Sequence, residues 1–280
     1  MNSILKHISC FLVISIAAIT CNDDDIRDPY QPVALSKINQ LNFISGNDSS
    51  IFIYDADMIL TSGRDNTFTG IREYEWFTME YADTEHKQLS GAEYNVSDDP
   101  VTGHRTERRA AYSRDDCNML AKVTREEWDS KSFSFSYDDR YRLIQLTLNA
   151  PNTVNHYTIA YDDQSNVSSV ELYQKAARAE GYFKHEFSEY DSKSNPFHFL
   201  VNVFYAPVFS SSDGAVFFDK MSSSLGLLLS KNNPGKVVNY TKNENDWEKG
   251  GTSTYSYQYG ENNYPVGISG NGLSLAVEYK

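Results

Sequence analysis

Ser132-Phe-Ser-Phe-Ser-Tyr137-Asp138-Asp-Arg-Tyr-Arg-Leu143-Ile-Gln-Leu-Thr-Leu148 reads as a strand, a tight turn and a returning strand. Phe133, Phe135 and Tyr137 alternate with serine, so an extended chain carries aromatic rings on one face and hydroxyls on the other. Asp138 opens a polar stretch whose side-chain oxygens can cap backbone N–H groups and whose residue types tolerate left-handed backbone. Ile144, Leu146 and Leu148 restore the alternation, and their face is expected to meet the aromatic one.

The same unit recurs along the chain. It appears as Tyr112-Ser-Arg-Asp115-Asp-Cys-Asn-Met-Leu120, Tyr161-Asp162-Asp-Gln-Ser-Asn166-Val167, Tyr190-Asp191-Ser-Lys-Ser-Asn195-Pro196-Phe197 and Tyr259-Gly260-Glu-Asn-Asn-Tyr-Pro265-Val266, with a weaker copy at Tyr54-Asp55-Ala-Asp57. Repetition at a nearly even spacing predicts successive hairpins, each unable to bury its aromatic face alone. The expectation is an all-β fold: an antiparallel β-meander of repeated hairpins, forming a curled open sheet or partial barrel. Helical periodicity is scarce. Its best candidate lies in residues 210–233, where Ser, Gly and Asn surround Leu225-Gly-Leu-Leu-Leu229; this predicts a short helix that plugs one end of the sheet.

The Tyr-Asp-x-x-x-Asn/Arg-Leu/Pro pattern resembles the YD repeats of Rhs-type proteins. Tyr190-Asp-Ser-Lys-Ser-Asn-Pro-Phe197, Leu229-Ser-Lys-Asn-Asn233 and Tyr264-Pro-Val-Gly-Ile268 are similar to motifs of a Bacteroidota lipoprotein family of uncharacterised role with a porin-like β-meander domain. The likeness covers roughly Tyr112 to Lys280. It implies an all-β fold and a cell-envelope address, and it implies no catalytic residues.

The N-terminus carries its own signal. Lys6 precedes the apolar run Ile8 to Thr20, and Cys21 is followed by Asn22, Asp23, Asp24 and Asp25. The run is shorter than the roughly 20 residues a spanning helix needs. Residues 1–20 are therefore expected to be a lipoprotein signal peptide, with Cys21 the lipidated residue of the mature chain. Acyl chains at about 0.8 kcal/mol per buried methylene would then tie the protein to a membrane. Ala18-Ile19-Thr20 departs from the usual residues before the cysteine, and a plain secretory cut near Ala17 or Ala18 is the alternative. The acidic run resembles the export signal of Bacteroidota surface lipoproteins, which points to the outer membrane with the body at the cell surface. Residues 21–36 would form a tether and residues 37–280 a single domain.

A net charge of −13 argues against nucleic acid, whose phosphates demand clustered Lys and Arg. The cluster Arg105, Arg108, Arg109 reads as a solvated strand end. Of three cysteines, Cys10 leaves with the signal and Cys21 is acylated, so Cys117 has no partner for a disulfide. The sequence contains no His-Glu-x-x-His, no Gly-x-Ser-x-Gly, no Walker loop and no cysteine pair for zinc. No catalytic residue, metal site or cofactor is expected. The acidic pairs Asp115-Asp116, Asp138-Asp139 and Asp162-Asp163 sit in the repeated turn, where an aspartate already has a capping role. The remaining histidines, His86, His104, His156, His185 and His198, are scattered.

Aromatic side chains offer the one ligand surface to consider. Trp128 and Trp247 lie in charged, loop-like stretches and are the candidates for stacking on a sugar or peptide, with Trp76 a third tryptophan and many strand tyrosines around them. The expected partners are the membrane, through the lipid, and a glycan or protein. The sequence thus favours a non-catalytic envelope lipoprotein that binds or scaffolds; a glycan-active hydrolase and a periplasm-facing outer-membrane assembly factor are the alternatives.

Overall fold

A computed structural model describes residues 40–45, 48–54, 60–66, 74–83, 88–99, 103–115, 119–126, 132–195, 221–243, 246–270 and 273–280. The signal peptide, Cys21, the tether, Cys117 and Trp128 lie outside these residues. The described chain is nearly all β. Its strands are β1 (Gln40–Ser45), β2 (Asp48–Tyr54), β3 (Leu60–Asn66), β4 (Tyr74–Asp83), β5 (Gln88–Asp99), β6 (Gly103–Arg114), β7 (Leu120–Glu126), β8 (Ser132–Tyr137) and β9 (Leu143–Ala150). They continue as β10 (Thr153–Tyr161), β11 (Val167–Ala176), β12 (Ala179–Ser194), β13 (Asn232–Asn243), β14 (Asp246–Thr254), β15 (Ser256–Tyr259), β16 (Pro265–Gly270) and β17 (Leu273–Tyr279). One described helix, α1 (Met221–Leu229), stands between β12 and β13.

Each strand from β1 to β13 pairs antiparallel with its successor, as the repeated hairpins predict. The first and last strands also pair, Leu41 opposite Tyr279 and Phe43 opposite Val277. The sheet therefore curls through most of a turn. The stretch from Asp246 to Tyr259 is interrupted at Tyr255: its first part pairs with β13 and its second with β16, which leaves a split seam in a curled open meander.

Polarity sorts cleanly across the sheet. Phe133, Phe135, Leu143, Leu146, Tyr157, Ile159, Val170, Phe187, Val237, Ile268, Leu275 and Val277 are buried in one cluster on the concave side. Ser134, Ser136, Gln145, His156, Thr158, Glu171, Ser188, Ser256, Gln258 and Ser274 alternate with them and are exposed. A membrane-spanning barrel has the opposite order, apolar outside and polar within. Arg105, Arg108 and Arg109 lie within β6, not at a strand end, and Arg109 sits opposite Glu93 and Glu126.

The returning strand of the 132–148 hairpin differs from expectation in one residue. A bulge at Ser136/Tyr137 sets Tyr137 opposite Leu143, so Leu143 and Leu146 are the fully buried residues while Ile144 is half-buried. An extra residue on one strand switches which side chains share a face.

The turns follow one plan. Asp138 Oδ1 accepts from the backbone N–H of Arg140 and Arg142, at 2.9 and 2.8 Å. Asp162 Oδ1 does the same for Gln164 and Asn166, and Asp115 Oδ1 for Met119. The fourth turn residue takes left-handed backbone at Tyr141 (φ 59), Ser165 (φ 67) and Asn263 (φ 63).

The repeat tyrosine staples one hairpin to the one before. Tyr137 donates its hydroxyl to the Leu120 carbonyl (2.9 Å), Tyr161 to Leu143 (2.9 Å), and Tyr190 to Val167 (2.7 Å). Further along, Tyr257 donates to Pro234 and Tyr279 to Pro265, both at 2.8 Å. Every acceptor lies just past the preceding turn. These hydroxyls are not left in water, as a ring packed on a sheet would allow; each satisfies a carbonyl at a strand start. In the last copy the staple comes from Tyr257, whereas Tyr259 hydrogen-bonds Asp191. Tyr161→Phe is expected to cost about 1 kcal/mol, the net worth of one such bond, measurable as a lower urea midpoint with unchanged slope.

Helix α1 fills the end of the sheet where these turns gather. Leu225, Leu228 and Leu229 join the main core. Ser230 Oγ donates to the Gly226 carbonyl (2.6 Å) and accepts the Val167 N–H (3.0 Å), while Asn195 Nδ2 donates to the Ser230 carbonyl (2.9 Å). The repeat at Tyr190 has thus kept its staple and exchanged its short turn for an insertion that carries the plug.

Candidate functional site

The exposed side of β10–β14 gathers aromatic and cationic residues into a strip. Register makes it: His156 lies opposite Tyr173, Tyr173 opposite Tyr182, and Lys242 opposite Trp247. Because Phe183 pairs with Thr241, Tyr182 and Lys242 fall at the same level. One row of outward side chains therefore crosses five strands, at about 4.8 Å per strand. A second row beside it runs Glu171, Lys184, Tyr240, Lys249.

The rings are in contact. His156 stacks on Tyr173 with centroids 6.2 Å apart and planes 18° apart, and Tyr173 meets Tyr182 at 4.9 Å. Thr147 Oγ1 lies 2.8 Å from His156 Nδ1 and fixes the imidazole from β9. Lys242 Nζ sits between two rings, 5.3 Å from the centroid of Tyr182 and 5.9 Å from that of Trp247. Lys184 Nζ lies 4.7 Å from Tyr240 and 5.2 Å from Trp247. Tyr182 is 41% exposed. That leaves ring surface for a ligand to cover.

The charges differ in how they are held. Lys184 pairs with Glu186 at 2.7 Å, and this hydrogen bond lowers the Glu186 pKa. Glu186 in turn bonds Tyr240 and raises its phenol. Glu180 accepts from Tyr182 (3.4 Å); burial and this carboxylate raise Tyr173. Lys242 has no ion pair among the described residues.

Of the sequence candidates, Trp247 belongs to this strip, in strand β14 and not in a loop. Trp128 lies outside the described residues, and Trp76 lies in β4, away from β10–β14. The strip's other members, Tyr173, Tyr182, Tyr240, Lys184 and Lys242, were signalled only as exposed positions of alternating strands. The two histidines with described side chains are separated by the sheet: His156 faces out, and His185 bonds Asn239 at 2.7 Å among the inward residues. Asp138 and Asp162 cap their turns, as expected. Among the described residues no three His, Cys, Asp or Glu side chains converge as metal ligands.

Fold and strip together define an all-β shell with a buried apolar interior and an aromatic, lysine-bearing outer surface. No family model matches the chain, and no curated protein sequence matches it. Among solved structures it is similar to a porin-like protein from Bacteroides uniformis, with a TM-score of 0.45 and 12% identity over 88% of this chain and 97% of that one. It is also similar to a porin-like protein from Bacteroides vulgatus, with a TM-score of 0.39 and 12% identity over 87% and 98%. A third likeness is to the TcdB2-TccC3-Cdc42 complex, with a TM-score of 0.32 and 12% identity over 79% of this chain and 12% of that one.

Proposed function

We propose that this protein is a non-catalytic, lipid-anchored binding body of the outer membrane, facing the cell surface, whose working face is the strip on β10–β14. The observation that carries the binding role is the row His156, Tyr173, Tyr182, Lys242 and Trp247, drawn from five strands onto one solvent-facing level. The apolar core lies on the other face, so burying it does not require this row. The strip is shallow and open, which suits a ligand that is gripped along its length and not enclosed for reaction.

The polarity of the shell supports a body beside the membrane. An exterior of Ser, Thr, Gln, Glu and Lys is hydrated, so attachment falls to Cys21 and its acidic flank. Cys21→Ala in the native host is expected to shift the protein from the membrane to the soluble fraction, and protease added to intact cells is expected to remove the wild type. Unchanged membrane retention of the variant would refute the anchor; survival through shaving would refute the surface orientation.

A further inference from the structure

Resting on the proposed binding role, we infer that the strip takes an acidic polysaccharide, laid across the outward edges of Tyr173, Tyr182 and Trp247 with a carboxylate or sulfate of the chain paired with Lys242.

Three observations lead there. First, the aromatic positions step across the sheet by about 4.8 Å per strand, close to the length of one sugar residue, so a glycan lying across the strands meets rings in register with its own repeat. Second, Lys242 is exposed and, among the described residues, held only by the Tyr182 and Trp247 rings, whereas Lys184 beside it is paired with Glu186. An ammonium wedged between two rings presents its remaining N–H donors outward, where an anion stacked at the same level accepts them. Third, the carboxylates around the row leave Lys242 unengaged: Glu180 accepts the Tyr182 hydroxyl, Glu186 holds Lys184, and Glu171 stands in the second row opposite Lys184, two strands from Lys242. Lys242 is thus a cation without an ion pair among the described residues, on a chain of net charge −13. Since fields decay over about 8 Å at physiological salt, a fixed contact cation governs selectivity there more than the distant negative charge does.

Titration calorimetry and Trp247 fluorescence on the purified mature body would test this, with a hexamer of galacturonate as the anionic probe and cellohexaose as the neutral one. The hexagalacturonate is expected to bind, with Lys242→Gln weakening it about tenfold or more and Tyr182→Ala weakening both probes. Equal affinity for the two hexamers, or an unaltered Lys242→Gln variant, would overturn the anionic preference and leave the strip as a glycan surface. Failure of hexagalacturonate, oligoalginate and chondroitin sulfate alike, with or without a protein captured instead, would overturn the inference; failure of the neutral hexamer as well would also remove glycan binding from the proposed function.

Discussion

Gly226→Val is expected to dislodge helix α1 and destabilise the whole shell by about 1–3 kcal/mol or more, the usual penalty of overpacking a core. A Cβ at this position would fall inside the ring of Phe187, meeting several of its atoms at once. The opposing term is known: a glycine inside a helix is worse than alanine by roughly 0.5–1 kcal/mol, so relief of that penalty would favour any side chain. Steric conflict wins, because a Cβ is fixed to the backbone and has no rotamer by which to avoid the ring. The ring cannot retreat easily either, since Phe187 is buried opposite Val237 in the main cluster. Urea unfolding should show a lower midpoint with an unchanged slope. Combined with Phe187→Ala, which alone costs about 3–5 kcal/mol, the loss should be smaller than the sum of the two single losses, because the shortened side chain makes room for the valine. A strictly additive double variant would mean that the two residues do not touch.

That contact also shows where the sequence stops being legible. Leu225-Gly-Leu-Leu-Leu229 announced an apolar segment that plugs the sheet, and the plug is there. Nothing in the sequence showed that its glycine exists to admit a ring from β12, because the two residues are brought together only by tertiary packing. The hairpins were readable for a physical reason: period-2 alternation sets the face, and Asp in the turn fixes the tip, both of which are local. Register is less local. The bulge at Ser136/Tyr137 exchanged Ile144 for Leu143 on the inner face, and no propensity marks a bulge of this kind.

The candidate site suffers from the same limit more severely. Each of Tyr173, Tyr182, Lys242 and Trp247 can be recognised as outward-facing from its own strand, but the row depends on register accumulated across five strands. Trp247 was further disguised by Asp246, Glu248, Lys249 and Gly250, a composition that reads as loop. Pairing with β13 overrides it, as edge and context effects commonly override β-propensity. The repeat tyrosines were the opposite case. Their rings were placed correctly, while the destination of their hydroxyls, a carbonyl in the preceding hairpin, required the neighbour to be in position.

Buried tyrosine hydroxyls, three of the staples among them, give the molecule an alkaline limit, expected as a steep loss of stability between about pH 10 and pH 12. Burial raises Tyr157 to about 12, and burial likewise pushes Tyr54, Tyr112, Tyr190, Tyr257 and Tyr279 far above the ordinary phenol range. In the unfolded chain these phenols lose their protons near pH 10, whereas the folded protein retains them. Above pH 10 the unfolded state therefore binds fewer protons, and stability falls as pH rises toward the folded values. Each tyrosine contributes about 1.4 kcal/mol per pH unit in that window, so six acting together remove about 8 kcal/mol per unit, comparable to the entire stability of a typical domain. Stability should be nearly level with respect to these groups from pH 7 to pH 9. The share of tyrosinate absorbance that comes from these buried rings and the loss of the β circular dichroism signal should then appear together, as one cooperative step. Tyr257→Phe separates the two roles of the group: it should weaken the fold at pH 7 by about 1 kcal/mol through the lost bond to Pro234, yet make the alkaline decline shallower by one proton. A difference in tyrosinate absorbance between wild type and Tyr257→Phe that develops near pH 10 with the β signal intact would show that this staple is open to water.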